Sequence, residues 1–142
     1  MYVDKELLFS DAQAVTAAAA STNIVDLGAV RDMGVGEELY VVVSVDVAMA
    51  DSGSDSTLAV ALECDSTDSF TPDSTRTLFT FSAASAAGTV KISRLSADDI
   101  NLRYARLYYT PANGNLSAGS FTAFIAKDIQ KYTNYADNIV IS

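Results

Sequence analysis

The sequence predicts an all-β protein, a jelly-roll-like antiparallel sandwich of two sheets and about eight strands, with extended arms at both ends. Three observations predict it. Apolar side chains recur at every second residue in several short segments. Those segments stand roughly a dozen residues apart, divided by clusters of Gly, Pro, Asn, Asp and Ser. No convincing helical pattern connects them. Two sheets of short strands is the simplest arrangement that fits, and a jelly roll uses eight strands in that way.

Taken in chain order, residues 1–10 read as an amino-terminal arm, with Leu7, Leu8 and Phe9 apolar at positions that usually fray. From Asp11 to Ala20 the residues leave two conformations open. Ser10-Asp11-Ala12-Gln13 matches a helix capping box, and Ala17 to Ala20 forms helix readily. Val15, Thr16 and Ser21-Thr22-Asn23-Ile24-Val25 favour extended chain instead. Between Leu39 and Met49 the odd positions Leu39, Val41, Val43, Val45, Val47 and Met49 are all apolar, opposite Tyr40, Val42, Ser44, Asp46 and Ala48. This is a half-buried strand that becomes two-sided at its start. A loop over 50–55 ends it.

Leu58, Val60, Leu62 and Cys64 form the next apolar row, opposite Thr57, Ala59, Ala61 and Glu63, so Cys64 reads as a buried core thiol. A polar stretch holding Pro72 follows. Short strands surround Phe79 and Phe81, alternating with Leu78 and Thr80, and Val90 and Ile92, alternating with Lys91 and Ser93. From Arg103 to Thr110, Ala105, Leu107 and Tyr109 share one side, while Tyr104, Arg106 and Tyr108 share the other. A turn marked by Asn113-Gly114 leads to a last strand over 117–129, with Phe121, Ala123 and Ile125 against Thr122, Phe124 and Ala126. The tail over 131–142 carries Tyr132, Tyr135, Ile139, Val140 and Ile141. It reads as a docking segment, for its own sheet or for a neighbour.

Composition narrows the function. The 142 residues fit one domain, 1–142, and 49% hydrophobic content is enough for a core. Charged residues are 19%, below the roughly 25% of average domains. The net charge of −9, with nine lysines and arginines in no run, opposes binding to nucleic acid or to an anionic membrane surface. A single cysteine excludes an internal disulfide. The absence of histidine removes the commonest general base and metal ligand, and with it the usual hydrolytic triad. The amino terminus carries acids where a secretory peptide needs a basic stretch. Synthesis in a cytoplasm is therefore expected.

Catalytic and binding groups are few. Paired carboxylates are the only acid–base candidates, and Asp98-Asp99 lies at a turn, where it reads as solvated. Asp51, Asp55, Asp65, Asp68 and Asp73 make two acidic loops that resemble cation loops, yet they lack the spaced acids and closing Glu of a calcium hand. No enzyme, cofactor or metal is expected. The row Tyr104, Arg106, Tyr108 combines residue types that dominate protein–protein contacts. Together with Leu7, Leu8, Phe9, Tyr132, Tyr135, Ile139 and Ile141 it makes the predicted interface set.

A resemblance runs through most of the chain. Leu8-Phe9-Ser10-Asp11-Ala12-Gln13-Ala14-Val15-Thr16 and Ser21-Thr22-Asn23-Ile24-Val25-Asp26-Leu27-Gly28 resemble the start of the Bbp16-like capsid cement (decoration) proteins of tailed bacteriophages. It continues at Arg31-Asp32-Met33-Gly34, Gly36-Glu37 and Leu39-Tyr40-Val41-Val42-Val43. It resumes at Arg103-Tyr104-Ala105-Arg106-Leu107 and Ala118-Gly119-Ser120-Phe121-Thr122-Ala123. The loops at 51–57 and 65–75 are not matched.

The resemblance implies a jelly roll on the outer surface of the virion, seated on a shell of HK97-like major capsid protein. It implies bridging of neighbouring capsomers, commonly by a symmetric homo-oligomer, and no catalytic residues. A dimer is expected over a trimer because two-fold interfaces are commonest. It also implies extended chain in the alanine-rich segment. The competing reading is a carbohydrate- or receptor-binding jelly roll of a head fibre or tail component, motivated by Tyr104, Tyr108 and the acidic loops.

Overall fold

Alternation builds two sheets whose apolar rows face each other. The computed structural model describes residues 5–26, 39–96, 99 and 102–127. A short 3-10 turn, Lys5–Leu7, precedes nine strands: β1 Leu8–Ala14, β2 Ala19–Ala20, β3 Val25–Asp26, β4 Leu39–Ala50, β5 Thr57–Asp65, β6 Ser74–Phe81, β7 Val90–Leu95, β8 Tyr104–Ala112 and β9 Ala118–Lys127. One sheet runs β1-β9-β4-β7. The other runs β2-β8-β5-β6, with β3 also paired to β8. Every described pairing is antiparallel. If β2 and β3 are counted as two pieces of one edge strand, each sheet has four strands. Only β5 and β6 then pair as sequence neighbours, which is the alternating connectivity of a jelly roll.

The core lies between the sheets. Val41, Val43 and Val45 of β4 meet Leu58, Val60 and Leu62 of β5, Leu107 and Tyr109 of β8, and Phe121 and Ala123 of β9. Phe81, Phe121 and Tyr109 form an aromatic chain with centroids 5.6 and 5.9 Å apart. Burying each such ring contributes roughly 1.5–3 kcal/mol. Cys64 is buried among these residues. Burial pushes its thiol pKa up to about 11.

Several expectations change at this level. The capping-box segment is not helix: β1 runs to Ala14, and Ala19–Ala20 pairs with Tyr108 and Tyr109 of β8. Ser10 is fully buried, and its hydroxyl bonds Gln13 Oε1 and Tyr109 Oη, both at 2.8 Å, and not the Gln13 backbone N–H that a capping box uses. The predicted arm is partly strand, because β1 begins at Leu8 and pairs with β9. Val47 does not join the core row of β4. Register against β9 slips between Val45 and Val47 and again before Ala50. The first slip turns Val47 outward, 52% exposed, and the second returns Met49 to the core. Asn113 and Gly114 both have positive φ (64° and 117°), as an Asn-Gly turn requires. The strands they join, β8 and β9, lie in different sheets, so the turn is a crossing and not a hairpin.

Candidate interaction face

The residues the sequence singled out on β8 stand together on the outer face of its sheet. Ala105, Leu107 and Tyr109 fill the core, which leaves Tyr104, Arg106 and Tyr108 half-buried on the opposite side. Cross-strand pairing places Asp65, Glu63 and Ala61 of β5 beside them, and Asp26 and Ala20 beside Tyr104 and Tyr108. Tyr108 is thus flanked by two small alanines and Tyr104 by two carboxylates.

Arg106 is the fixed point of this face. Its Nε donates to Glu63 Oε2 at 2.7 Å. Its guanidinium carbon lies 4.2 Å from the Phe70 ring centroid and 5.7 Å from that of Tyr108. A planar cation held by a carboxylate and flanked by rings loses little further freedom on binding. Phe70 reaches it from the β5–β6 loop with φ at +46°, a backbone conformation that costs a bulky residue about 1 kcal/mol or more. The loop is closed by Asp73 N donating to Cys64 O at 3.0 Å, and by Asp65 Oδ1 accepting from Thr67 N and Oγ1 at 2.8 and 3.2 Å. The Thr67 N–H holds the Asp65 carboxyl below its ordinary pKa.

At the end of the face, Arg103 forks onto Asp26, Nε to Oδ1 at 2.9 Å and Nη2 to Oδ2 at 3.1 Å. Its guanidinium lies 4.9 Å from the Tyr104 ring centroid. This pair is well exposed, so its role is positional and its contribution to stability small. Glu63 and Phe70 were not legible as partners of Arg106. Glu63 was visible only as a charge on an otherwise small-residue row, and Phe70 only as an isolated ring in a polar loop.

The remaining predicted residues separate. Phe9 is fully buried in the core, so its side chain is spent inside the chain and is not available to a partner. Leu7 and Leu8 are half-buried, and Leu7 packs against the core edge. Tyr132, Tyr135, Ile139 and Ile141 lie outside the described residues.

The chemical candidates are occupied structurally. Asp51 Oδ2 accepts from Gly53 N, Asp55 N and Ser56 Oγ at 3.1, 3.4 and 3.0 Å, which makes it the organiser of its own loop. Asp99 accepts from Ser96 N and Oγ and pairs with Arg76, and Asp98 lies outside the described residues. Burial would raise the Asp99 pKa, but the Ser96 and Arg76 donors hold it low. Asp65 Oδ2 is buried with no hydrogen-bond partner among the described residues. No group of three or more Cys, Asp or Glu among those residues could hold a metal ion. An open groove beside β3, lined by Lys5, Glu6, Leu8, Thr22, Asn23, Ile24 and Asp26, holds two carboxylates. Asp26 is the ion-pair partner of Arg103 there.

Sheet order and this face define a jelly-roll sandwich with a prearranged aromatic and arginine surface. The family model Bbp16 matches residues 9–125, and the chain belongs to the Bbp16 family. No curated protein matches it. Among solved structures, a chain from "Structure of infectious bursal disease virus Gx strain" is similar, with 12% identity and a TM-score of 0.36. The match covers 84% of this chain and 30% of that one, so this chain spans under a third of its length. A likeness at that score carries no argument about function.

Proposed function

We propose that this chain is a capsid cement protein of a tailed phage. In this reading it binds the outer surface of an expanded head made of HK97-like major capsid protein and bridges neighbouring capsomers as a symmetric oligomer, a dimer in preference to a trimer. The observation that carries the reading is the Bbp16 match across residues 9–125, from β1 to β9. Physical considerations support it. Cementing needs contact area and rigidity, not reacting groups. Interfaces of about 1,200–2,000 Å² repeated around a shell add through multivalency. A two-sheet sandwich with a continuous core carries load with little deformation. The net charge of −9 would complement basic patches on a shell.

The Tyr104–Arg106–Tyr108 face is the surface we assign to the shell. Buried tyrosine and arginine anchors dominate binding energy where they are well packed. Tyr108→Ala should weaken binding to cement-free expanded shells about tenfold or more in co-sedimentation, with the melting transition of the isolated chain little changed. Shell binding equal to wild type for both Tyr108→Ala and Arg106→Ala would remove the face from the reading. Removing residues 132–142, which carry Tyr132, Tyr135, Ile139 and Ile141, should lower shell binding more than it lowers the melting temperature.

A further inference from the structure

The crossing between β8 and β9 holds a reactive pair that the sandwich leaves open. Asn113 and Gly114 are both exposed, in the turn that carries the chain from one sheet to the other. An asparagine followed by glycine can react with its own backbone: the next amide nitrogen reaches the side-chain Cγ and closes a ring. Glycine favours this because it has no side chain to shield its nitrogen and its backbone moves freely. A Cβ built at Gly114 would meet only the Ser56 hydroxyl, at 3.6 Å. Among the described residues no acceptor takes the Gly114 N–H, and no donor reaches Asn113 Oδ1. The Asn113 side chain makes one bond, Nδ2 to Asp55 O at 3.2 Å, and that bond is open to water.

The other asparagines among the described residues are guarded. Asn115 is exposed only two residues on, but the nitrogen after it belongs to Leu116. Leu116 is 4% exposed and donates that N–H to Thr16 O at 2.9 Å. Asn23 precedes the branched Ile24, and its N–H and Nδ2 bond Phe9 O and Leu8 O at 2.9 and 3.1 Å. A nitrogen already bonded, or crowded by a stiff branched side chain, does not reach Cγ.

We propose that Asn113 is a site of spontaneous covalent modification, at which the Gly114 nitrogen attacks the Asn113 side-chain amide and the residue becomes aspartate or isoaspartate. Gly114 N gives up its proton and bonds Cγ, the Cγ–Nδ2 bond breaks, and ammonia leaves. Water then opens the ring. Attack at Cγ leaves aspartate; attack at the backbone carbonyl leaves isoaspartate, with the chain running through Cβ and Cγ. The sum is one water consumed, one ammonia released and one carboxylate gained, on a chain whose net charge is −9.

The site sits where this change is felt. Ser56, 1% exposed, sets its hydroxyl 3.0 Å from Asp51 Oδ2 and 3.4 Å from both Asn113 O and Gly114 O. That hydroxyl and the Asn113 amide clamp the crossing to the loop that Asp51 organises. Either product removes the donor to Asp55 O and brings a new negative charge to an acidic loop. Isoaspartate also lengthens the backbone under the Ser56 contacts, while Leu116 and Ser117 stay pinned to Thr16 and Ala50. The inference stands independently of the shell reading.

Ageing the full chain in mildly alkaline buffer, followed by anion exchange and peptide mapping, tests it. Wild type should yield a second species one charge more acidic, with aspartate and isoaspartate at position 113, and faster at higher pH. Asn113→Gly accepts the native φ of 64° without strain and should keep its charge over the same time. The acidic species should exchange the Gly53 and Asp55 amide protons faster than unconverted chain, because both bond Asp51 in the clamped loop. Three results would each overturn the assignment: conversion at Asn115 or Asn23 ahead of Asn113, acidification as fast in Asn113→Gly, or a folded chain that keeps Asn113 intact while urea-unfolded chain converts it.

Discussion

Tyr109 shows how one buried side chain ties the two sheets. Its ring stacks on Phe121, and its hydroxyl meets Ser10 Oγ at 2.8 Å. Ser10 in turn donates to Gln13 Oε1, while Gln13 Nε2 donates to Ala20 O at 2.9 Å and Thr22 N donates to Gln13 Oε1 at 2.8 Å. The network therefore runs from β8 through β1 to the β2–β3 edge. Burial pushes the Tyr109 phenol from 10.0 up to about 12. Unfolded, the phenol ionises near pH 10; folded, it keeps its proton to about 12. Unfolding in that window releases a proton, so the contribution is complete below pH 10 and is lost as pH rises through it. Denaturant titrations at stepped pH should show stability falling over that range, with a shallower fall in Tyr109→Phe. Val43 makes a simpler case. It is fully buried on the core face of β4, and Val43→Asp should cost more than about 4 kcal/mol because the charge has no partner and no water. A thermal melt close to wild type would contradict the register of that strand.

At the scale of elements, the edge formed by β2 and β3 depends on a side chain in place of backbone. Ser21 N donates to Leu107 O at 2.7 Å, and Leu107 N donates to Ser21 Oγ at 3.1 Å, so the hydroxyl replaces a ladder carbonyl where residues 21–24 leave the sheet. Ser21→Ala should cost about 1–3 kcal/mol in urea denaturation and speed amide exchange at Leu107, whose N–H is left buried and unpaired. Much of the strand pattern was legible without coordinates. β8 alternates through Tyr109 as its pattern indicates, and β5 does so up to Leu62, whereas β9 sends Phe121, Ala123 and Ile125 to the core and has Phe124 covered on the opposite face as well. What was not legible arises from pairing. The slips that expose Val47 exist only against β9, and β7 turns Lys91 inward because its neighbour Thr80 offers a carbonyl there. The alanine run was ambiguous by propensity, and its last two residues, Ala19–Ala20, became strand where β8 supplied partners. In the candidate site, the β8 row could be read from its own period, whereas Glu63 and Phe70 needed the β5–β8 register and the loop.

On the scale of the whole molecule, the architecture is a rigid two-sheet sandwich with one outer face organised by side-chain contacts. The outer face of one sheet is prearranged around Arg106, and the other sheet ends in a regular, partly apolar edge at β7. A prearranged face on a rigid sandwich suits the proposed role of linking neighbours on a lattice, where many weak contacts act together. The most direct test of that account uses expanded capsid shells lacking the protein. Purified chain is added, bound and free fractions are separated by sedimentation, and both decorated and bare shells are heated until they break. The account predicts saturable binding and a higher disruption temperature for decorated shells. No binding at micromolar concentration, or binding that leaves the disruption temperature unchanged, would contradict it.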